Sequence, residues 1–304
     1  MGARNKATVG VVGLGIMGGS FAKNLLAAGW RVIGFDVDAA RCRALRRAGV
    51  AIAPHAGALA AEAPVIITSL PSPAALDATV DAILAARLPR RIVIEAGTFA
   101  LHDKLRAERA LRGAGHLALD CPVSGTGAQA KVKDLVVYAS GEARAIARLR
   151  PLFLGFARAV HDVGPYGNGS RMKYVANLLV AVHNVASAEA MVLGMKAGLD
   201  PRRICELVTA GVGNSRVFEL RAPMMAQNRY DRPTATIKTL QKDLDVIGSY
   251  AAAIGCPTPL LSATLPIYAA AMAMGHASHD TAAVCAVLET MAALRRPRAG
   301  RRRA

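Results

Sequence analysis

The sequence predicts an α/β protein in two parts, a doubly wound parallel sheet followed by an all-α domain that a long helix joins to it. Short apolar runs alternate with helical segments from residue 7 to about residue 163, and Thr8–Gly13 runs into a glycine-rich turn. Beyond residue 165 the periodicity is helical almost throughout. We therefore expect one domain at residues 1–165, a helical domain at 166–294 and a basic tail at 295–304.

The first element is the apolar strand Thr8–Gly13, which enters the turn Gly13-Leu14-Gly15-Ile16-Met17-Gly18. This is the G-x-G-x-x-G pattern. Gly13 permits a tight turn, Gly15 lets the backbone approach a pyrophosphate, and Gly18 lets the next helix, Ser20–Ala28, pack closely on the strand. The uncapped start of that helix then faces the phosphate charge. The pattern in this context predicts a Rossmann dinucleotide-binding domain, with a plain strand-to-helix connection as the structural alternative.

The second strand, Arg31–Asp36, ends in an acid close to the spacing of about 20 residues at which a carboxylate binds a ribose diol. Because the Asp36 carboxylate accepts hydrogen bonds from a 2′-hydroxyl and repels a 2′-phosphate, NAD is favoured over NADP. Arg41 and Arg43 follow closely enough for one of them to reach a 2′-phosphate, so NADP stays open. A solvated helix face is the alternative role for both arginines.

The remaining strands predicted for the sheet are Val65–Ser69, Arg91–Glu95, Leu117–Asp120 and Leu135–Ala139. Ligands bind at the carboxyl ends of the strands in such a sheet. The loops that follow three of these strands should therefore meet in one crevice: Ser69–Pro71, Gly97–Thr98 and Pro122–Gly125. Taken alone, the last of them is an ordinary proline-containing turn.

A long helical pattern, Ser170–Ala197, opens the second part of the chain. Lys173 and Asn177 lie four residues apart, hence on one face of this helix. The preceding Gly167-Asn168-Gly169 would let the start of the helix approach the first domain closely. A lone lysine on a helix is usually a solvated charge, so spacing alone leaves the chemistry of this face open.

Composition bounds the class of protein. The 304 residues, 53% of them hydrophobic, provide enough material for two cores. The apolar stretch Tyr174–Val192 is interrupted by polar residues such as Asn184 and Glu189, so no transmembrane helix is expected. Five separated cysteines without a C-x-x-C pair indicate neither a zinc site nor a disulfide framework, and His183 has no partners at ligand spacing. We expect no metal and a cytoplasmic location.

The net charge of +17 raises the question of nucleic acid. Six arginines lie in the last ten residues, interleaved with Pro297, Ala299 and Gly300, and this segment is expected to be disordered. The rest of the chain is basic without the signature of a nucleic-acid-binding module. Attraction of an anionic cofactor and substrate is the favoured interpretation of the charge.

Four motifs in this order resemble those of the β-hydroxyacid dehydrogenases, the family that includes 3-hydroxyisobutyrate dehydrogenase and tartronate semialdehyde reductase. Gly13–Gly18 is similar to the family's G-L-G-x-M-G cofactor signature, and Asp120–Gly125 is similar to its D-A-P-V-S-G substrate motif. Gly167–Asn177 resembles the catalytic motif, and Lys242–Leu244 matches a K-D-L element. The resemblance covers the chain except for the arginine tail.

The resemblance implies a role for each matched residue. Lys173 would be the general acid/base, and Asn177 would hydrogen-bond the substrate. Ser124, Gly125 and Thr126 would hold the substrate carboxylate, although Thr126 stands where many members have a second glycine. The residues that would contact the cofactor beyond the glycine turn and Asp36 are Leu70, Pro71, Thr98 and Lys242. Arg216 lies where the family shapes its substrate pocket, and either pairs with a second carboxylate or faces solvent.

We therefore expect an NAD-preferring oxidoreductase that interconverts a small β-hydroxyacid and its semialdehyde or keto form, assembled as a homodimer or homotetramer. Two alternatives remain. An imine reductase has a similar architecture, and the presence of Lys173 argues against it. A cofactor-binding scaffold without catalysis would not need both Lys173 and Asn177.

Overall fold

The computed structural model describes residues 6–296, which form two compact units that divide between Val175 and Ala176. The sequence places this boundary at residue 165, where the strand periodicity ends. The division falls later because the first turns of the long helix are bonded to the first unit, as Ser170 is to Asp120 and Tyr174 is to Phe99.

The first unit contains a six-stranded parallel sheet. Its strands are β1 (Lys6–Val12), β2 (Trp30–Phe35), β3 (Ala51–Ile52), β4 (Val65–Thr68), β5 (Ile92–Glu95) and β6 (Leu117–Asp120). They lie in the order β3-β2-β1-β4-β5-β6, and every pair is parallel. The order reverses between β1 and β4, which is the point at which such sheets bind ligands. The predicted doubly wound sheet is confirmed.

Helices cover both faces of this sheet. They are α1 (Ile16–Ala27), α2 (Ala39–Arg47), α3 (Ala56–Glu62), α4 (Pro73–Ala85), α5 (Leu101–Gly113), α6 (Gly127–Lys131) and α7 (Ala143–Phe156). Successive residues of β4 serve different cores, since Ile67 packs in the cluster around Phe21 and Phe153 whereas Ile66 packs in the cluster around Leu59. This alternation is what a strand buried on both faces requires.

One predicted strand lies elsewhere than expected. A separate three-stranded sheet is formed by β7 (Val123–Ser124), β8 (Val136–Ala139) and β9 (Ala159–Asp162). The strand predicted at Leu135–Ala139 is β8 of this sheet, antiparallel to β7 and parallel to β9. The five-residue helix α6 between β7 and β8 is too short for the crossover that a parallel connection needs, so the chain returns antiparallel.

The second unit is helical, as predicted. After α8 (Asn168–Lys196), which begins in the first unit, come α9 (Pro201–Ala210), α10 (Arg216–Gln227), α11 (Ile237–Ala253), α12 (Pro259–Ala273), a 3-10 turn (Thr281–Ala283) and α13 (Val284–Met291). A buried Arg221 pairs with Asp280 at 3.1 Å and joins α10 to the segment before the 3-10 turn.

Among the described helices, α8 alone is long and apolar enough to cross a membrane by length and composition. Its contacts in the second unit are those of a core helix. Asn184 is fully buried and donates hydrogen bonds to the Tyr268 hydroxyl and the Thr281 carbonyl, at 3.0 and 2.9 Å. Ala181 and Met191 are also fully buried.

Arg296 belongs to the segment expected to be disordered, but in the structure it is bonded to other elements. Its guanidinium donates to the carbonyls of Met225 and Ala226 at 2.5 and 2.9 Å and pairs with Glu289. The last carbonyls of a helix have no partner within the helix, and the planar guanidinium satisfies two of them at the end of α10. Residues 297–304, the rest of the predicted tail, lie outside the described residues.

Candidate functional site

The turn between β1 and α1 needs its glycines for two different reasons. A Cβ atom at Gly13, where φ is +87°, would collide with the Ser69 carbonyl, and one at Gly18 would collide with the Gly13 carbonyl. At Gly15 the nearest neighbour of such a Cβ would be an Arg41 nitrogen at 3.7 Å. The outer glycines therefore permit close packing of the protein, whereas the middle one leaves the backbone accessible to a ligand.

The start of α1 is suited to an anion. Gly15 is the N-cap residue, no side chain caps the helix, and the first turn carries no acid. The first N–H groups of a helix have no partner within it, and the helix dipole adds positive potential at this end. A phosphate group would satisfy both.

Asp36 has a second task that the sequence does not reveal. Its carboxylate accepts hydrogen bonds from the backbone N–H of Leu14 at 2.7 Å and of Asp38 at 2.8 Å. Arg41 lies 3.4 Å from the same carboxylate and 3.3 Å from Asp38. Asp36 thus holds the glycine turn in place, and a carboxylate with about four acceptor positions retains capacity for a further donor.

An open pocket of about 590 Å³ lies beside Asp36. Phe35, Ile52 and Pro54 provide apolar walls, and Arg43 and Arg46 provide positive charge. The spacing from Asp36 points to Arg41 and Arg43 but not to Arg46, which is one helical turn beyond Arg43 on α2. The open Gly15 backbone, the bare helix start and this pocket would suit a dinucleotide: α1 would hold phosphate groups, and the pocket beside Asp36 would hold an adenosine.

The predicted loops begin at one edge of the sheet, because Thr68, Glu95 and Asp120 are neighbours in register on β4, β5 and β6. Leu70 lies near the glycine turn, with a side-chain atom 3.3 Å from where a Gly13 Cβ would be. Pro71 is exposed and Thr98 is half-buried.

The Ser124–Thr126 segment combines an extended strand end with a strained turn. Gly125 has φ of +133°, a conformation that favours glycine, and a Cβ there would contact Leu135 at 2.5 Å. Ser124 is half-buried at the end of β7. The Thr126 side chain caps α6 in a capping box with Gln129. Thr126 therefore has a structural role in addition to the predicted one.

Lys173 lies on the part of α8 that belongs to the first unit, where it is half-buried. Three hydrogen bonds fix the turn before it. Gly169 N–H donates to the Ser140 hydroxyl at 2.9 Å, and the Ser170 N–H and hydroxyl donate to Asp120 at 2.7 and 2.9 Å. A Cβ at Gly169 would lie 2.5 Å from the Asp120 carbonyl, so glycine permits this approach. The expected close approach of the helix start is confirmed.

Asp120 belongs to a buried ionic cluster that sequence analysis missed. The Lys104 ammonium lies 2.5 Å from Glu95 and 2.7 Å from Asp120, and all three side chains are buried. Burial raises the pKa of Glu95 although the Lys104 charge opposes it. Burial lowers the pKa of Lys104, but the charges of Asp120 and Glu95 outweigh this and raise it above its ordinary value. The sequence does contain one indication of the cluster. Glu95 and Asp120 end two consecutive strands, and two buried carboxylates side by side need a cation between them.

In the second unit, Asn177 is buried and donates a hydrogen bond from Nδ2 to Asp243 at 2.9 Å. An ionised carboxylate only accepts hydrogen bonds, so the amide nitrogen must face Asp243 and the amide oxygen is turned away from it. Lys242, on the same helix as Asp243, is 41% exposed, with its ammonium 3.4 Å from the other Asp243 oxygen.

Arg216 pairs with a carboxylate of the protein itself. It lies 2.8 Å from Glu219 on α10 and its side chain is 68% exposed. Asn214 donates to the same Glu219 at 2.8 Å. The hydrogen bonds from Arg216 and Asn214 lower the pKa of Glu219. Within residues 6–296, no group of three or more His, Cys, Asp or Glu side chains could hold a metal ion.

Two family models match the chain in succession. Residues 8–164 match the NAD binding domain of 6-phosphogluconate dehydrogenase. Residues 167–288 match a domain described as NAD-binding of NADP-dependent 3-hydroxyisobutyrate dehydrogenase. The two matches meet near residue 165, where the sequence predicts the domain boundary, and the second of them begins within the first compact unit.

Curated relatives match over nearly the whole chain. The L-threonate dehydrogenase of Cupriavidus necator is 31% identical over 91% of this chain and 94% of its own length. The probable 3-hydroxyisobutyrate dehydrogenase of Mycobacterium tuberculosis is 31% identical over 94% of this chain and 99% of its own length. The crystal structure of the M. tuberculosis 3-hydroxyisobutyrate dehydrogenase with L-serine has a TM-score of 0.85 at 31% identity and covers 93% of this chain and 99% of that one. An imine reductase from Pseudomonas sp. shares the fold at a TM-score of 0.64 and 19% identity, over 93% and 100% of the two chains.

Proposed function

We propose that this chain, which belongs to the β-hydroxyacid dehydrogenase family, transfers hydride between NAD(P) and a small β-hydroxyacid with Lys173 as the general acid/base. One observation carries the assignment of Lys173. Asp120 opens the segment that leads to Ser124 and Gly125, and it also binds the first turn of the helix on which Lys173 lies. The predicted acid/base and the predicted carboxylate-binding turn thus share one anchor.

The reaction defines what the side chains must do. NAD(P), when bound, accepts the hydride that leaves the carbinol carbon. Lys173 in its neutral form takes the hydroxyl proton on Nζ, and in the reverse direction its ammonium returns a proton to the alkoxide. The hydroxyl of Ser124 and the backbone N–H groups of its turn hold the substrate carboxylate and so place the carbinol for reaction.

Asn177 is proposed to act as an acceptor. Since its Nδ2 donates to Asp243, the oxygen that remains can accept a hydrogen bond from a substrate hydroxyl. Asp243 then determines which end of the amide is presented. Lys242 is proposed to close over the cofactor or substrate. Arg216, bound to Glu219, is proposed to influence the pocket through the loop that contains Asn214.

Exchanging Asp243 for leucine tests this orientation. Without the carboxylate the amide of Asn177 is free to rotate, so we expect the KM for the hydroxyacid to rise about tenfold, the loss of roughly one charge-assisted hydrogen bond. Asn177→Ala is expected to raise the KM for the hydroxyacid by a similar factor. The KM of the double variant should be no higher than that of Asn177→Ala alone. Steady-state kinetics with the three variants checks this; additive losses would contradict it.

NAD is the proposed preferred cofactor, because the Asp36 carboxylate lines the pocket at the end of β2. We expect Asp36→Ala to raise the KM for NAD and to lower the ratio of kcat/KM for NAD over NADP. The glycine turn loses its support from the same side chain, so the rise should exceed about tenfold, more than one lost hydrogen bond. Kinetics with both cofactors measures the ratio, and an unchanged ratio would refute the assignment of Asp36.

A homodimer or homotetramer is the proposed assembly. The second unit has more apolar helix than a lobe of its size needs to bury, and it leaves large apolar side chains exposed on several elements, among them Leu193, Val212 and Leu260. Light scattering tests the assembly, and a monomer would contradict it. We further propose a cytoplasmic location, a small carboxylate as substrate, and no binding to membranes or nucleic acid.

The function itself is tested by NAD(P)H formation at mildly alkaline pH with a panel of small hydroxyacids: 3-hydroxyisobutyrate, 3-hydroxypropionate, glycerate, threonate, tartrate, serine and 4-hydroxybutyrate. Turnover of at least one is the expected result. An assay of a cyclic imine with NADPH distinguishes the proposed activity from that of an imine reductase. Reduction of the imine, together with no turnover of any hydroxyacid in the panel, would overturn the proposal.

A further inference from the structure

Three ionisable side chains lie out of contact with solvent in the first unit. Lys104 is 0% exposed, Asp120 is 0% and Glu95 is 2%. Moving charges out of water costs several kcal/mol for each ion, and a buried ion pair often adds less stability than well-packed apolar residues would. Contribution to stability is therefore a weak explanation for this cluster.

The cluster is connected to the elements around the proposed chemistry. The Asp120 carboxylate accepts hydrogen bonds from the Lys104 ammonium and from the N–H and hydroxyl of Ser170, and the Ser140 hydroxyl donates to the Asp120 backbone carbonyl at 3.0 Å. The three donors occupy most of the acceptor capacity of the carboxylate. Ser170 is three residues before Lys173, so the two are neighbours on one side of α8.

The backbone near Lys104 is also bonded to the chain around the start of α8. The Tyr166 hydroxyl donates to the Lys104 carbonyl at 3.2 Å, and the Tyr174 hydroxyl donates to the Phe99 carbonyl at 2.5 Å. The chain on both sides of the α8 start is thus bonded to the α5 region. Within residues 6–296, the Lys104 ammonium forms ion pairs with Glu95 and Asp120.

We propose that Lys104 is a positioning residue for the proposed reaction: by pairing with Asp120 it fixes the turn of α8 that carries Lys173 relative to the turn that contains Ser124. This inference rests on the proposed role of Lys173. It assigns to Lys104 an effect on the rate of the chemical step that is separate from its effect on stability.

The decisive variants are Lys104→Met and the double variant Lys104→Met/Glu95→Gln. The single variant leaves two buried carboxylates without their cation. The double variant removes one carboxylate and so restores the net charge of the cluster to −1, while Asp120 still lacks its lysine. Ser170→Ala removes one bond between α8 and Asp120 without changing any charge. Lys23→Met, an exposed lysine of α1, is the matched control.

We expect Lys104→Met to lower kcat by about 10- to 100-fold, because small misplacements of a reacting group cost this much, with unchanged affinity for NAD. The double variant should regain stability while kcat stays low. Ser170→Ala should lower kcat less than Lys104→Met does. When Ser170→Ala is combined with Lys104→Met/Glu95→Gln, the fold-reduction in kcat should be smaller than the product of the two separate fold-reductions, because both changes act through Asp120. Recovery of kcat together with stability, or full multiplicativity, would overturn the inference.

Hydrogen exchange at residues 168–172 separates this inference from the proposed function. Faster exchange there in the double variant and in Ser170→Ala, with wild-type rates in Lys23→Met, is expected whatever the substrate. Unchanged exchange refutes the positioning role even if the wild type oxidises hydroxyacids. Absence of turnover of every hydroxyacid in the panel by the wild-type enzyme refutes the proposed function instead. If Lys104→Met does not fold, the double variant and Ser170→Ala carry the test.

Discussion

Lys173→Ala is expected to lower kcat for hydroxyacid oxidation by about 10²- to 10⁴-fold, the contribution typical of a general base. Affinity for NAD should be unchanged, because the glycine turn and the Asp36 pocket that we propose to bind it lie on β1, α1, β2 and α2. The KM for substrate should change little, since a proton acceptor acts in the transition state. The loss of catalytic efficiency should therefore appear as a lower kcat and not as a higher KM.

Steady-state kinetics and a fluorescence titration of NADH measure these quantities. Arg171→Ala is the matched control, an exposed cation two residues earlier on the same helix whose partner is Asn168. It should keep wild-type kcat. With substrate deuterated at the carbinol carbon, the isotope effect on kcat should be larger in Lys173→Ala than in the wild type. The reason is that hydride transfer becomes slower than product release in the variant. Substantial residual activity with an unchanged isotope effect would show that another group takes the proton.

The parts of the site that the sequence predicts are those in which neighbours in the chain are neighbours in space. Gly13, Gly15 and Gly18 belong to one turn, and their separate uses follow from the strand before and the helix after them. Lys173 and Asn177 share a helix, so their spacing alone places them on one face. Such features depend on local geometry that the order of residue types specifies.

Features that depend on pairing between distant elements were missed. Glu95 and Asp120 meet because β5 and β6 pair with these residues in register, and Lys104 reaches them because α5 connects the two strands. A lysine on a helix of mixed polarity gives no sign of burial. The sequence predicts β8 as a strand of the main sheet, because periodicity identifies a strand but not its partner.

Lys104→Met is also expected to destabilise the protein, and to do so increasingly as the pH rises. Removing one partner of a buried ion pair costs about 3–5 kcal/mol, because the remaining charge is buried without compensation. The measurement is urea unfolding of the variant and the wild type at several pH values between about 5 and 8, with the free energy of unfolding compared at each.

The sign follows from Glu95. Burial already raises its pKa above the ordinary value of 4.5, and Lys104 limits the rise. Without Lys104 the pKa of the folded state moves further up, so the folded variant holds this proton more tightly than the unfolded chain does. The associated stability is present below about pH 4.5 and is lost as the pH rises through the folded-state pKa.

Glu95→Gln in the Lys104→Met background is the control, because it removes the carboxyl group whose titration produces the slope. We expect this double variant to regain much of the stability at pH 8 and to lose most of the added pH dependence. A Lys104→Met destabilisation that is equal at pH 5 and pH 8 would mean that lost packing of the lysine side chain, and not an uncompensated carboxylate, is its cause. The same variant would then need no proton uptake on folding, which a pH-stat titration of refolding measures directly.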